Sequence, residues 1–135
     1  MRACYSLMII LFCACNGFTE KEKIEICLKN ADSIKITKVT WDNIQSLSRI
    51  DGDWVEIEGV FTCGFEDVSI NSSKNPHSSV GIWINFKNQI EMQDDKLQKM
   101  SGKKAIVYGK LNVSDKGHLS GYKASLDSAY CIKEE

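Results

Sequence analysis

The stretch GDWVEIEGVF (Gly52–Phe61) has a counterpart in GKKAIVYGKL (Gly102–Leu111). In both, a glycine opens a run of alternating side chains, and a second glycine, Gly59 or Gly109, stands inside that run. Alternation with a period of two predicts a half-buried β-strand. A glycine inside a strand marks a bulge or a sharp bend. Two such strands therefore predict a small and strongly curved sheet.

The same alternation predicts three further strands. Phe65–Ile70 turns Val68 and Ile70 inward, and Val80–Phe86 (VGIWINF) places four apolar side chains on one face. Lys123–Ile132 ends the chain as a strand that bends at Asp127. With the two glycine-marked runs, these segments make five strands.

Two segments have helical rather than strand patterning. Trp41–Ile50 carries apolar residues three apart, which predicts a short helix with Thr40 as its N-cap. Lys87–Met100 has no strand pattern and places a few apolar residues among charges, so we expect a short helix there.

The order of three strands, a helix and two strands resembles the OB-fold, a five-stranded Greek-key barrel. The resemblance covers Gly52 to Ile132 and is closest to small exported OB-fold proteins of bacteria. It implies a mainly β protein with a helix between strands three and four, preceded by the short N-terminal helix. Another small β-barrel or a sandwich is the alternative.

The outward side of strands two and three carries the candidate ligand-binding residues. OB-folds commonly bind ligands across this face. A tryptophan among short polar side chains suits stacking on a sugar, a base or a peptide. The alternative is that the N-terminal segment covers Trp83 with Ile36 or Trp41. The candidates are Trp83, Asn85, Asp67, Ser69 and Asn71.

The N-terminus reads as an export signal. Residues 1–15 (MRACYSLMIILFCAC) hold one basic residue and then an apolar run, which is too short to span a bilayer. The end of this run resembles a bacterial lipobox, which implies a signal peptide over 1–14 and lipidation of Cys15. Residues 15–33 would then be a leash and N-terminal segment, and 34–135 the barrel domain with its extension. Cleavage after Gly17, giving a free secreted protein, is the alternative.

The cysteine content is consistent with a location outside the cytoplasm. Of six, three remain in the mature domain once Cys15 and the signal are set aside. An oxidising environment permits one disulfide among them. We expect Cys27 to pair with Cys131, which would staple the two ends of the domain, while Cys63 would be a buried free thiol. Another pairing, or none, remains open.

Net charge and the absence of known motifs reduce the number of function classes to consider. The chain has 17 basic and 18 acidic residues, a formal net charge of −1. Removing residues 1–14 removes one charged residue, Arg2, so the net charge becomes −2. Nucleic-acid binders need a basic surface, so we expect no nucleic-acid partner. Neither His77 nor His118 stands in a metal-ligand spacing, and catalytic motifs are absent from the sequence.

We therefore expect a monomeric, non-enzymatic binding module without metal or cofactor. It would be lipid-anchored in the cell envelope, on the periplasmic side of the outer membrane in a Gram-negative host. Its partner would be an envelope protein or a small ligand. An exported inhibitor or immunity-type protein is the alternative, and a hydrolytic enzyme is a more distant one.

Overall fold

A computed structural model describes residues 21–29, 34–75 and 80–135, and over these ranges the protein is mainly β. The strands are β1 (Glu25–Cys27), β2 (Thr37–Val39), β3 (Trp54–Cys63), β4 (Val68–Asn71), β5 (Ile82–Phe86), β6 (Lys104–Asn112) and β7 (Ala124–Glu134). The helical elements are a 3-10 helix (Trp41–Ile50), α1 (Asn88–Glu91), α2 (Asp94–Met100) and a 3-10 turn (His118–Ser120).

Five of the strands close into a barrel. The pairing runs from β3 through β4, β5, β7 and β6 and returns to β3. The contact between β5 and β7 is parallel, and the other four barrel contacts are antiparallel. Two short strands lie beside this barrel, with β1 antiparallel to β7 and β2 parallel to β3.

The inside of the barrel is the hydrophobic core that the alternation predicted. Along β3, every second residue is buried, and Ile57 and Phe61 are completely inaccessible to solvent. Ile82 of β5 and Leu126 of β7 are equally buried, and Met100 of α2 joins the same core. Burial of such a side chain stabilises the fold by about 1.5–3 kcal/mol, which favours the barrel over an open sheet.

The two mid-strand glycines do different things. Gly109 faces a shift in the β6–β7 register, but the extra residues there belong to β7, between Asp127 and Cys131, so the bulge is in the partner strand and not at the glycine. Gly59, in contrast, sits in a stretch of β3 whose pairing with β6 keeps its register. A Cβ at Gly59 would collide with the Asn71 carbonyl oxygen and crowd the Trp41 ring. Gly59 therefore permits a close approach rather than a bend.

Both helical segments are present but less regular than their patterns indicate. Trp41–Ile50 is a 3-10 helix interrupted at Ser46, with Ile44 and Leu47 buried. Thr40 occupies the predicted N-cap position in an extended conformation, and its backbone carbonyl accepts from Asn43 N–H, but its side chain makes no capping hydrogen bond. The segment from Lys87 to Met100 forms the two short helices α1 and α2.

The predicted bend in β7 lies next to Asp127. The pairing of β7 with β5 shifts between Leu126 and Ala129, its pairing with β6 shifts between Asp127 and Cys131, and Ser128 has a φ of 50°. An extra residue in one strand produces this kind of shift and increases the local twist. The bulge lets β7 pair with β5 along its first half and with β1 along its second.

A disulfide joins Cys27 to Cys131, the pair that sequence reasoning favoured. The two residues lie opposite each other in the β1–β7 ladder and are 104 residues apart in the chain. Among the described cysteines Cys63 is free and buried, and burial, followed by the nearby Asp94 carboxylate, raises the pKa of its thiol. Cys15 lies outside the described residues.

We predict that replacing both disulfide cysteines, Cys27→Ser with Cys131→Ser, lowers the free energy of unfolding by about 2–4 kcal/mol. The bond closes a long loop, and its loss restores chain entropy to the unfolded state. Urea unfolding monitored by circular dichroism measures the change. A reductant should destabilise the native chain to the level of the double variant and leave that variant unchanged. Equal stability of the oxidised and reduced native chain would contradict the prediction.

Candidate functional site

The five candidate residues lie together on the outside of β4 and β5. Ser69 of β4 is directly opposite Trp83 of β5 in the ladder, on the face opposite to Ile70 and Ile82. Asp67 immediately precedes β4, Asn71 ends it, and Asn85 lies two residues beyond Trp83. The strand parity inferred from the sequence therefore places them on one surface of the barrel.

The β4 half of this surface is a short chain of hydrogen bonds. The Asn71 amide donates to Ser69 Oγ over 2.9 Å, and the Ser69 hydroxyl donates to Asp67 Oδ1 over 2.5 Å. The Tyr122 hydroxyl donates to the same Asp67 oxygen over 2.8 Å. Burial and this bond to Asp67 raise the pKa of Tyr122 to about 12, so the phenol remains a donor at neutral pH.

The β5 half is centred on Asn85. Its Oδ1 accepts a hydrogen bond from the Trp83 indole nitrogen over 2.7 Å. Its amide nitrogen donates to Asp127 Oδ1 over 3.0 Å and to Asp115 Oδ2 over 3.2 Å. One asparagine thus joins the β5 tryptophan to a carboxylate of β7 and to a carboxylate of the β6–β7 loop.

Asp127 is held as a carboxylate by three donors. Besides Asn85, the Asn112 amide donates to Oδ2 over 2.8 Å and the Ser125 hydroxyl donates to Oδ1 over 3.0 Å. Burial alone would raise the pKa of Asp127, but the hydrogen bonds outweigh it and the pKa is lowered. A carboxylate stabilised in this way is a poor general base and serves here as an anchor.

The β6–β7 loop, residues 113–123, covers this face. Gly117 has a φ of 64° and lies against Trp83, where a Cβ would overlap the tryptophan side chain. The rings of His118 and Tyr122 flank the indole, with centroids 6.3 Å and 5.2 Å away. Trp83 is consequently half-buried.

The candidate ligand face is therefore partly covered. Ser69 is 0% exposed and Asn71 is 4% exposed. The cover is also different from the alternative that the sequence raised. The β6–β7 loop lies on Trp83, whereas Trp41 of the N-terminal 3-10 helix packs near Gly59 on β3. Within the described part of the chain, Asn71 Oδ1 is the buried side-chain polar atom that lacks a hydrogen-bond partner.

Sequence reasoning missed the residues that complete the network, namely Asn112, Asp115, Gly117, Tyr122, Ser125 and Asp127. Asp115, Gly117 and Tyr122 belong to a polar segment without hydrophobic periodicity, whose pattern predicts only a loop, and the other three lie at the adjoining ends of β6 and β7. One signal was available, because Asn112 ends β6 and its Oδ1 accepts from the backbone N–H groups of Ser114 and Asp115. Asparagine commonly makes such bonds where a chain turns.

One group of potential metal ligands occurs among the described residues. Glu25, Cys27 and Cys131 bring their ligand atoms within 4.8 Å of one another. The two sulfurs are bonded to each other, however, and a metal requires the thiolates. His77 lies outside the described residues, and His118 is exposed beside Trp83.

Comparison of the chain with protein-family models, curated proteins and solved structures finds no match. Over residues 21–29, 34–75 and 80–135, none of the helices has the length and apolar character needed to cross a membrane.

We predict that Asn85→Ala lowers the free energy of unfolding by about 2–3 kcal/mol, because it leaves the Trp83 N–H and two carboxylates without their shared partner. Asn43→Ala is the matched control, since Asn43 is exposed on the 3-10 helix, and it should change stability by less than about 0.5 kcal/mol. Urea unfolding of the three proteins measures both effects. Equal stability of the two variants would show that the Asn85 network does not hold the loop.

Proposed function

We propose that the protein is an exported, lipid-tethered and non-enzymatic binding module that docks another protein of the cell envelope. The docking site is the loop-tip surface, defined as Phe65 and Glu66 of the β3–β4 turn with His118 and Leu119 of the β6–β7 loop.

The observation that carries the proposal is the exposure of two large apolar side chains on neighbouring loops. Phe65 is fully exposed and Leu119 is 88% exposed. The residues next to them in sequence, Glu66 and His118, approach within 3.9 Å, which brings the two loop tips together. Covering both side chains with a partner would contribute about 1.5–3 kcal/mol each.

The loop tips are fixed in place rather than free to collapse onto the barrel. Leu119 and Ser120 have φ values of 51° and 54°, a conformation that non-glycine residues rarely adopt and that other contacts must stabilise. Asp67 supplies part of that stabilisation, because its carboxylate accepts from Tyr122 and its backbone carbonyl accepts from Gly64. A preformed surface loses little entropy on binding.

A macromolecular partner suits this surface better than a small one. The polar groups of Asp67, Asn85 and Asp127 already hydrogen-bond within the protein. The features left for recognition are projecting apolar side chains, which match a complementary protein surface. The same arrangement would suit an inhibitor or immunity-type protein, whose partner would be bound in a fixed stoichiometric ratio.

We further propose that the barrel is of the OB type. Support comes from the barrel order β3-β4-β5-β7-β6, from the parallel contact between β5 and β7, and from the two helices between β5 and β6. In that comparison, the β6–β7 loop occupies part of the face on which OB-folds commonly bind ligands.

Export and tethering rest on residues 1–15, which lie outside the described residues. The disulfide between Cys27 and Cys131 supports an oxidising compartment. Triacylation of Cys15 would anchor the chain stably in an envelope membrane. We place the protein, as a monomer, on the periplasmic side of the outer membrane if the host is Gram-negative.

The intact mass of the protein purified from its native membrane fraction tests the tether. We predict a mass equal to residues 15–135 with a diacylglycerol and one further acyl chain. An unmodified mass that begins near Phe18 would contradict lipidation and would identify a free secreted protein.

For docking, we predict that the full chain captures a single protein from the host's envelope fraction in a fixed ratio. The double variant Phe65→Ser with Leu119→Ser should weaken this capture by at least about tenfold, because it removes the two apolar side chains that the partner would bury. Met92→Ser is the matched control, because Met92 is 85% exposed but lies between α1 and α2. Capture should survive the control, and circular dichroism should show the native fold in both variants. Capture that is absent, or equal in all three proteins, would overturn the proposal.

A further inference from the structure

A second surface feature is a cleft between the N-terminal 3-10 helix and the described residues 72–75 and 80 that follow β4. Its volume is about 490 Å³, which is within the range of small-molecule sites. It shares no lining residue with the loop-tip surface, and it does not include Trp83 or the hydrogen-bonded residues around Asn85. One wall comes from the segment that precedes the barrel, so the site would be a product of the N-terminal extension.

The cleft has a fixed aromatic wall. Trp41 lines it, and the indole nitrogen of Trp41 donates a hydrogen bond to the Glu58 backbone carbonyl over 2.6 Å. Gly59 has no side chain, so the edge of the indole ring can lie close to β3. A ring held at its edge and half-exposed is ready to stack on a ligand without being reordered first.

The charged residues around the ring balance one another. Lys38 and Lys74 face the cleft together with Asp42 and Glu58, two positive against two negative side chains. Lys38 is in addition 3.6 Å from Glu56, which reduces its influence further. A phosphate-bearing ligand would need a net positive site, so this balance disfavours a nucleotide.

Neutral donors and acceptors complete the lining. Gln45, Ser72, Ser73 and Asn75 line the cleft with amide and hydroxyl groups. Gln45 Oε1 already accepts from Lys123 and Ser72 Oγ from the Lys74 N–H, which leaves the Gln45 amide N–H groups and the Ser72 O–H as donors. Hydrogen bonds from many short polar groups suit a ligand that carries many hydroxyls. An aromatic face suits the apolar C–H side of a sugar ring, because an amphipathic ligand can be apolar on one side and polar around its edge.

We propose that this cleft binds a neutral oligosaccharide, with one sugar ring stacked on Trp41 and with Asp42 and Gln45 hydrogen-bonding to its hydroxyls. The site is independent of the loop-tip surface. A protein with both would hold a glycan and a protein partner at the same time.

The test is isothermal titration calorimetry, in which the full-length protein is titrated with three neutral oligosaccharides: cellotetraose, maltotetraose and tetra-N-acetylchitotetraose. At least one should bind with a dissociation constant of about 1 mM or tighter, a range typical of weak specific ligands. Trp41→Ala should weaken that binding by about tenfold or more, since a stacked ring contributes on that scale. Trp54→Phe, at an aromatic residue that packs on Tyr130 instead, should leave binding unchanged.

If Trp41→Ala does not fold, Asp42→Ala and Gln45→Ala test the same site. Both residues are exposed, so their replacement should leave the protein folded. Each variant should weaken oligosaccharide binding by about threefold or more. The proposal is overturned if none of the three oligosaccharides binds. It is also overturned if one binds but all folded cleft variants retain full affinity. Either result would leave the loop-tip surface untouched, since Phe65→Ser with Leu119→Ser tests that site separately.

Discussion

The parallel pairing of β5 with β7 is the contact on which the rest of this structure depends. It sets Ile82 beside Ala124 and Ile84 beside Leu126, and so closes the barrel around its apolar core. The two strands are far apart in the chain, so bringing them together has an entropic cost that only extensive burial can offset. The same register brings the outward Asn85 within hydrogen-bond distance of Asp127.

Closure therefore has a second consequence on the outside of the barrel. Asn85, held by β5 and β7, also binds Asp115, and Asp67 binds Tyr122, so the β6–β7 loop is tied down at two places. If the loop lifted, these hydrogen bonds to carboxylates would be exchanged for hydrogen bonds to water, at a net cost of about 1.5–3 kcal/mol for each bond. That penalty explains how a loop with two left-handed non-glycine residues keeps Leu119 in the solvent.

The sequence predicted those parts of the fold that follow from period-two patterning. The alternation around Gly59 and Gly109 located β3 and β6, and the parity of VGIWINF set Trp83 and Asn85 apart from the core residues Ile82 and Ile84. The parity of β4 also placed Asp67, Ser69 and Asn71 on the same outward face as Trp83 and Asn85. The likeness of the glycine-marked runs did not reveal that Gly109 faces a bulge in β7 while Gly59 makes room for Trp41, because that difference arises only from packing partners.

The position of the β6–β7 loop could not be predicted in the same way. Its contacts depend on single side chains, Gly117 against Trp83 and Asp115 against Asn85, that have no periodic signature. NMR of the native chain tests this placement most directly. With the loop on Trp83, the indole N–H should exchange slowly with solvent, and the ring should show nuclear Overhauser effects to His118 and Tyr122. Rapid exchange without those effects would show an open face and would contradict the account.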